Sequence, residues 1–204
     1  MPDFSLEREV DGVVAGVDEA GRGPWAGPVI AGAAILDRDA LEDSLVDGLD
    51  DSKALTTARR ESLYISLTES SAATVSVGIA SVEEIDSLNI LQATFLAMTR
   101  AVDALGKPID FALIDGNRAP LLACPAKTVV KGDSRSLSIA AGSIMAKVTR
   151  DHMMAALAID FPGYGWDTNQ GYGTRGHREG LETLGVTPHH RRSYAPIRAL
   201  LENT

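Results

Sequence analysis

The stretch from Asp18 to Val29, DEAGRGPWAGPV, constrains this chain more than any other. An apolar run, Val13-Val14-Ala15-Gly16-Val17, precedes it and reads as a buried strand. That strand delivers two adjacent carboxylates, Asp18 and Glu19, to its end. Side chains alternate along a strand, so the two acids share a site only where the backbone turns. Gly21, Gly23 and Gly27 permit a turn, because glycine adopts positive φ without steric cost. Acids at a strand end suggest a divalent metal. A glycine-rich loop with Arg22 beside it suggests a phosphate-bearing ligand, since bare backbone N–H groups approach oxygens closely. The loop is no P-loop, because it lacks the G-K-[ST] ending. Taken alone, the motif also fits an ordinary turn with two solvated acids.

The rest of the chain supplies the context. Val29–Leu36 is a second apolar run that can pair antiparallel with the first as a long hairpin. The polar, acidic segment 37–53 reads as a loop, and Ala58–Leu67 has helical spacing. Val75, Val77 and Ile79 alternate with small residues, as in a half-buried strand. Ser81 to Glu84 is a capping box that opens a helix. Leu91, Phe95, Met98, Val102 and Leu105 line one face of the next helix, which Gly106 and Pro108 end. Short strands follow at Phe111–Ile114 and Thr128–Val130, then a long helix, apolar on one face, at Ser136–Ile159. Gly163–Gly176 reads as a mobile connector, and two short helices end near Gly185 and Leu201. Strands first, then strand and helix alternating, then helices: this order predicts an α/β fold with a mixed sheet and a helical C-terminal extension.

Length and composition predict one soluble domain of 204 residues. No run approaches the roughly 20 apolar residues of a membrane span. The N-terminus has no signal-peptide core, and a cytoplasmic location is expected. Cys124 is the only cysteine, which excludes an intrachain disulfide and a thiolate zinc site; it reads as a small buried hydrophobe. The net charge is −9, and all of it falls within residues 1–70. Later segments carry Lys127, Lys131, Arg135, Lys147, Arg150, Arg175, Arg178, Arg191 and Arg192, enough for a modest basic face. Weak non-specific affinity for duplexes follows from that balance.

Acids recur after apolar runs. Asp115 follows Phe111-Ala112-Leu113-Ile114, and Asp133 follows Val129-Val130-Lys131-Gly132. If these strands are neighbours, four carboxylates converge at one sheet edge. Uncompensated, such a cluster repels itself. Divalent cations resolve the conflict, and carboxylate-only ligation selects Mg²⁺ or Mn²⁺ over zinc. Taken singly, each acid also fits a turn or a helix cap.

Seven stretches in fixed order then carry a family resemblance: GVDEAGRGPWAGPV (16–29), DDSKAL (50–55), NILQAT (89–94), LIDGN (113–117), VVKGDSRSLSIAAGSIMAKVTRD (129–151), GYGT (171–174) and HHRRSYAP (189–196). The chain resembles bacterial ribonuclease HII, of the ribonuclease H-like superfamily. That resemblance implies a ribonuclease H-like fold, with a five-stranded mixed sheet flanked by helices. It implies a single catalytic domain over residues 1–204, with a core at about 11–160 and a C-terminal helical extension at about 174–204. The implied ligands of two Mg²⁺ or Mn²⁺ ions are Asp18, Glu19 and Asp115, with Asp133 as the fourth active-site acid. Gly21, Arg22 and Gly23 are implied to sense a ribose 2′-hydroxyl, and Tyr172 to pack on the sugar at the RNA-to-DNA junction. Lys53 and Asn89 match positions suited to phosphate contact. Family members commonly carry a lysine just before GYGT; this chain has Gln170.

The implied activity is endonucleolytic. It cuts RNA in RNA–DNA hybrids and cuts 5′ to ribonucleotides embedded in duplex DNA, leaving 3′-hydroxyl and 5′-phosphate ends. Two ions about 4 Å apart would straddle the scissile phosphate. The expected partners are those nucleic acids, with no membrane, and the expected state is a monomer. Two other classes compete: a hybrid-binding module whose acids are structural, and a carboxylate-pair glycosidase. The intact acid set opposes the first. An aromatic content of only 5 % opposes the second. A ribonuclease HIII-like preference for long hybrids is disfavoured by the short acidic N-terminus. His177, His189 and His190 read mainly as solvated surface, with product release or phosphate binding as the alternative. Trp25 and Trp166 read as packing groups, and Asp151 as either a supporting acid or a helix ion pair.

Overall fold

The computed structural model describes residues 1–52 and 54–202. Five strands form one sheet: β1 (Val14–Ala20), β2 (Val29–Leu36), β3 (Ala73–Ala80), β4 (Phe111–Asp115) and β5 (Ala126–Val129), in the order β3-β2-β1-β4-β5. β1, β2 and β3 run antiparallel, while β4 and β5 run parallel to β1, so the sheet is mixed as the sequence predicts. The β1–β2 hairpin pairs from Ala15–Ile35 to Ala20–Ile30. The first strand runs further than its apolar pattern. Asp18 and Glu19 lie within the ladder, and the chain turns only after Ala20, at Gly21 with φ +96°. The expected turn between the two acids does not exist.

One face of the sheet is covered by α5 (Leu137–Asp160), with α1 (Asp43–Val46) and α2 (Thr57–Glu69) beyond it. The other face carries α3 (Val82–Leu88) and α4 (Ile90–Ala104). Segment 37–53 is not the bare loop its polarity suggests. Leu41, Leu45 and Leu49 are all buried against α2 and α5, and their spacing of four is a helical signal hidden among acids. Ser81 and Glu84 do form the reciprocal capping box of α3. Of the row from Leu91 to Leu105, Met98 and Leu105 are buried while Leu91, Phe95 and Val102 are half-buried; the rest of the buried face of α4 is small, with Ala93, Thr94, Ala97 and Ala101. Small residues let this helix approach β3: a Cβ on Gly78 would stand 2.1 Å from the Ala97 carbonyl oxygen. In β3, accordingly, Gly78 and Ala80 are the buried positions and Ile79 is exposed.

The same device seats α5. Every residue from Leu137 to Ala146 is buried, because the sheet takes one side and the α1–α2 layer takes the other. The expected one-sided stripe holds only for the second half. A Cβ on Gly16 would lie 2.1 Å from the Ser138 carbonyl carbon, and one on Gly32 would lie 2.1 Å from the Gly142 oxygen. Backbone therefore meets backbone across this interface.

Beyond α5, Gly163–Gly176 is not a featureless connector. It contains α6 (Trp166–Asn169), whose Trp166 is fully buried. Trp166, Tyr164, Ala26, Met154, Leu181 and Ile197 form a separate cluster. It joins the end of α5 and the glycine-rich loop to α7 (Arg175–Leu184) and α8 (Ala195–Glu202). Cys124 packs, half-buried, against the cluster beneath α4. Among the described residues, no helix is long and apolar enough to cross a membrane.

The close approach yields the first prediction. Gly16→Ala and Gly32→Ala must push α5 off the sheet, and each lowers unfolding free energy by ~3 kcal/mol. Gly176→Ala, in α7 with nothing within 4 Å of the added Cβ, raises it by ~0.5 kcal/mol. Urea titration of the three variants checks both signs.

Candidate active site

The parallel pairing of β1 with β4 sets the acids. Val17 is opposite Ile114, so the next step places Asp18 beside Asp115 on one face. Asp18 lies on the α5 side and is 3 % exposed. Its Oδ1 accepts the Glu19 N–H at 2.7 Å, and the Ser143 hydroxyl of α5 also bonds to it. Glu19 leaves on the α4 side, where it lines a cleft with Leu91, Thr94, Phe95, Met98 and Asp115. Asp133 sits in the 3₁₀ turn Gly132–Ser134 after β5 and is buried. The Gly132 N–H donates to Asp115 Oδ1 at 2.6 Å, which ties that turn to the end of β4. The acids thus straddle the end of the sheet instead of sharing a turn.

Electrostatics fit a cation here. Burial first, then the charges of Glu19 and Asp115, push the Asp18 carboxyl well above the usual range, against the pull of its hydrogen bonds. Arg22, three residues on, meets Glu19 at 3.1 Å and offsets part of this charge. Among the described residues, no three such side chains already close into a cage. The carboxylates are gathered at one edge, an all-oxygen donor set suited to Mg²⁺ or Mn²⁺.

The loop between β1 and β2 is held from behind by two buried arginines. Arg150 donates to the carbonyls of Pro28, Ala26 and Gln170 at 3.0, 3.1 and 3.0 Å. Arg191 donates to those of Gly27, Arg22, Gly21 and Pro28, and also to the Tyr194 hydroxyl. Tyr194 in turn donates to the Arg22 carbonyl. Burial, with repulsion from Arg191, lowers Arg150 to about 10. Neither arginine contributes to a basic surface, contrary to the expectation from charge distribution. Arg150 had a readable signal, since it continues the buried row of Ser143 and Ala146 along α5. Arg191 had none.

Gly21 is required by the protein itself: a Cβ there would lie 2.0 Å from Arg150 Nε. A Cβ on Gly23 would meet the Tyr172 ring at 3.2 Å. Tyr172, 51 % exposed, stands across the loop in a cleft of about 370 Å³. Gly21, Arg22, Gly23, Ser52, Ser143 and Lys147 line the same cleft. Ser52 and Ser143 share a hydrogen bond at 2.9 Å, so the loop containing Ser52 is anchored on α5. Lys53 lies outside the described residues. Asn89 caps α4, its Oδ1 accepting from Leu91 and Gln92 N–H, at the start of the helix that lines the acid cleft. Gln170 has φ +52° and folds its amide back onto the Asp167 carbonyl. Asp151 is the ion-pair partner of Lys147 at 2.6 Å.

The histidines depart from expectation. His177 and His190 are fully buried, and they bond to each other at 3.0 Å beside Trp166. The solvated reading fails because α7 and the segment before α8 fold over them. No spacing signal marks the pair, since 13 residues separate the two rings.

Comparison with known proteins agrees with this geometry. The sequence model of the family described as Ribonuclease HII matches residues 15–197. Ribonuclease HII of Jannaschia sp. strain CCS1 is 60 % identical over 98 % of this chain and 98 % of its own. That of Rhodospirillum rubrum is 57 % identical over 98 % and 92 %. The crystal structure of ribonuclease H2 from Pyrococcus horikoshii superposes with a TM-score of 0.77, at 27 % identity, over 94 % of this chain and 98 % of that one. Bst ribonuclease HIII in complex with Mn²⁺ shares the fold, with a TM-score of 0.68 at 20 % identity over 94 % and 70 %. The sheet order, the acid edge and these likenesses lead to one conclusion: the chain belongs to the ribonuclease HII family and is a metal-dependent nuclease with a ribonuclease H-like fold.

Proposed function

We propose that this nuclease recognises single ribonucleotides within duplex DNA and cuts 5′ to them, as well as cutting RNA in RNA–DNA hybrids. Its work is then removal of misincorporated ribonucleotides and RNA primers, as one cytoplasmic domain acting as a monomer. The carrying observation is the juxtaposition of a self-repelling acid edge with a loop that offers backbone to a cleft closed by Tyr172. Asp18, Glu19, Asp115 and Asp133 are the residues suited to hold two Mg²⁺ or Mn²⁺ ions. Such ions supply Lewis acidity at the phosphate and an activated water, so no protein nucleophile is needed.

The loop's chemistry follows from its carbonyls. Those of Gly21 and Arg22 turn inward to Arg191. In a trans peptide the C=O and the following N–H point in opposite directions. The N–H groups of Arg22 and Gly23 therefore face away from Arg191. Two adjacent donors suit the oxygen of a 2′-hydroxyl or of a phosphate, and the 2′-hydroxyl distinguishes RNA at one position. Tyr172 then tests the next sugar by packing on it. Arg22, Asn89 and Lys53 are assigned to the phosphates that flank the cut. Gln170 donates to its own turn, so the phosphate contact that a lysine makes there is absent.

Two predictions follow from these assignments. Asp18→Asn removes a charge that the fold disfavours, so it raises the metal-free melting temperature by a few degrees, about 1 kcal/mol. It also abolishes cleavage, and 10 mM Mg²⁺ (on the order of a saturating concentration) raises the melting temperature of wild type but not of this variant. Retention of more than about a tenth of wild-type turnover, within ~1.4 kcal/mol of its barrier, removes Asp18 from the metal site. The decisive assay is cleavage of a DNA duplex holding one ribonucleotide, with and without Mg²⁺.

The second concerns Tyr172. The ratio of kcat/KM on the single-ribonucleotide duplex to that on a continuous hybrid falls in Tyr172→Ala by about ten-fold, ~1.4 kcal/mol of lost sugar packing. An unmoved ratio makes Tyr172 a packing residue.

A further inference from the structure

His177 and His190 are buried, and every ring nitrogen they have is used. Their roles can be assigned from the donors around them. The Thr187 backbone N–H points at His190 Nδ1 at 3.0 Å, and an N–H can only donate. His190 Nδ1 is therefore an acceptor and its proton sits on Nε2. That Nε2–H faces His177 Nε2 at 3.0 Å. Trp166 Nε1–H, which also can only donate, reaches the same His177 atom at 3.2 Å. His177 Nε2 is thus an acceptor, and its proton sits on Nδ1. From there it donates to the Tyr172 carbonyl at 3.0 Å. The chain runs one way: Thr187 to His190 to His177 to Tyr172. Both rings are neutral in this arrangement. Burial lowers both basicities, and repulsion from His177 contributes to bringing His190 to about 3.

The terminus of this chain is what gives it meaning. Tyr172 has its N–H bonded to the Asn169 carbonyl and its C=O shared by Thr174 N–H and His177 Nδ1. Its ring is free in the cleft, against Gly23. Apolar side chains of the same volume would fill the space beneath it more cheaply than two imidazoles, since burying polar groups costs unless all are bonded. What imidazoles add is direction. We propose that His177 and His190 form a hydrogen-bond relay of fixed tautomers that positions Tyr172, and through it sets the preference for a single ribonucleotide over continuous RNA. They are positioning residues, and the proposal rests on the reading of Tyr172 as a sugar-contacting group.

The two ends of His177 can be separated. Glutamine places its terminal group near the Nε2 position and asparagine near the Nδ1 position. His177→Gln keeps an acceptor for His190 and Trp166 but loses the bond to Tyr172. His177→Asn keeps a donor for Tyr172 but leaves two buried N–H groups unpaired. The Gln variant is expected to melt close to wild type while its substrate ratio falls about five-fold, the factor for one hydrogen bond of ~1 kcal/mol. The Asn variant melts lower and, below its melting point, keeps the wild-type ratio. An unchanged ratio in His177→Gln, with Tyr172→Ala shifting it, overturns the relay. An unchanged ratio in Tyr172→Ala overturns the sugar-contact reading instead. Long-range ¹⁵N–¹H spectra of the wild-type protein provide a readout that needs no variant or substrate. They should show His177 protonated at Nδ1 and His190 at Nε2; the opposite tautomer at either ring overturns the proposal.

Discussion

Two buried guanidinium groups hold this molecule's glycine-rich loop in place. Arg150 and Arg191 together take carbonyls of Gly21, Arg22, Ala26, Gly27 and Pro28. A loop of glycines and prolines has few side chains with which to anchor itself, so its shape must be imposed on its backbone. Charged donors to carbonyls are worth ~1.5–3 kcal/mol each, and an orphaned buried carbonyl costs a comparable amount. The planar five-donor fork of arginine can serve several carbonyls at once, which the point charge of lysine cannot. The cost appears in Arg150, whose proton is held less tightly because the group is buried and, second, because Arg191 lies beside it.

The acid edge works against stability for the same reason that it suits catalysis. Asp18 is desolvated and faces like charges, yet its neighbours are arranged to keep it in place: the Glu19 N–H, Ser143, and Ser52 behind Ser143. Arg22 supplies partial compensation from a half-exposed position, where a salt bridge contributes at most about 1 kcal/mol. The fold therefore keeps an unfavourable charge arrangement at the end of its central strands. That is the expected signature of a site that gains its energy from a bound cation.

Much of this was legible in the chain. The strands that end near the acids, the β1–β2 hairpin, the capping box and the long helix follow from periodicity and punctuation; the parallel pairing of β1, β4 and β5 does not. Apolar runs drew attention to the acids that end them, while the role of Asp133 came only with the family resemblance. What escaped was whatever depends on depth. Leu41, Leu45 and Leu49 were masked by surrounding acids. The strand around Asp18 and Glu19 continues because its partner β2 continues, a tertiary fact that local polarity conceals. Arg191, His177 and His190 look like surface residues by composition, and Arg150 does so apart from its place in the buried row of α5. Each is buried because backbone carbonyls, a tryptophan or another histidine satisfies it; the arginines' partners in the β1–β2 loop lie more than 100 residues away, and those of the histidines lie 3 to 13 residues away.

Those distant partners also change the meaning of the C-terminal helices. Arg150 bonds to Pro28 and Ala26 on one side of the cleft and to Gln170, two residues before Tyr172, on the other. A single rigid planar group thus spans from the glycine-rich loop to the segment carrying Tyr172. The separation between Gly23 and the Tyr172 ring is set by that span, with the histidine pair fixing the far end. Trp25 extends the same joint, since its ring packs so closely on Gly173 that a Cβ there would stand 2.2 Å away. The helices after residue 160 therefore back the segment that brings Tyr172 to the cleft, and their cluster around Trp166 and Ile197 joins that segment to the end of α5 and to the glycine-rich loop.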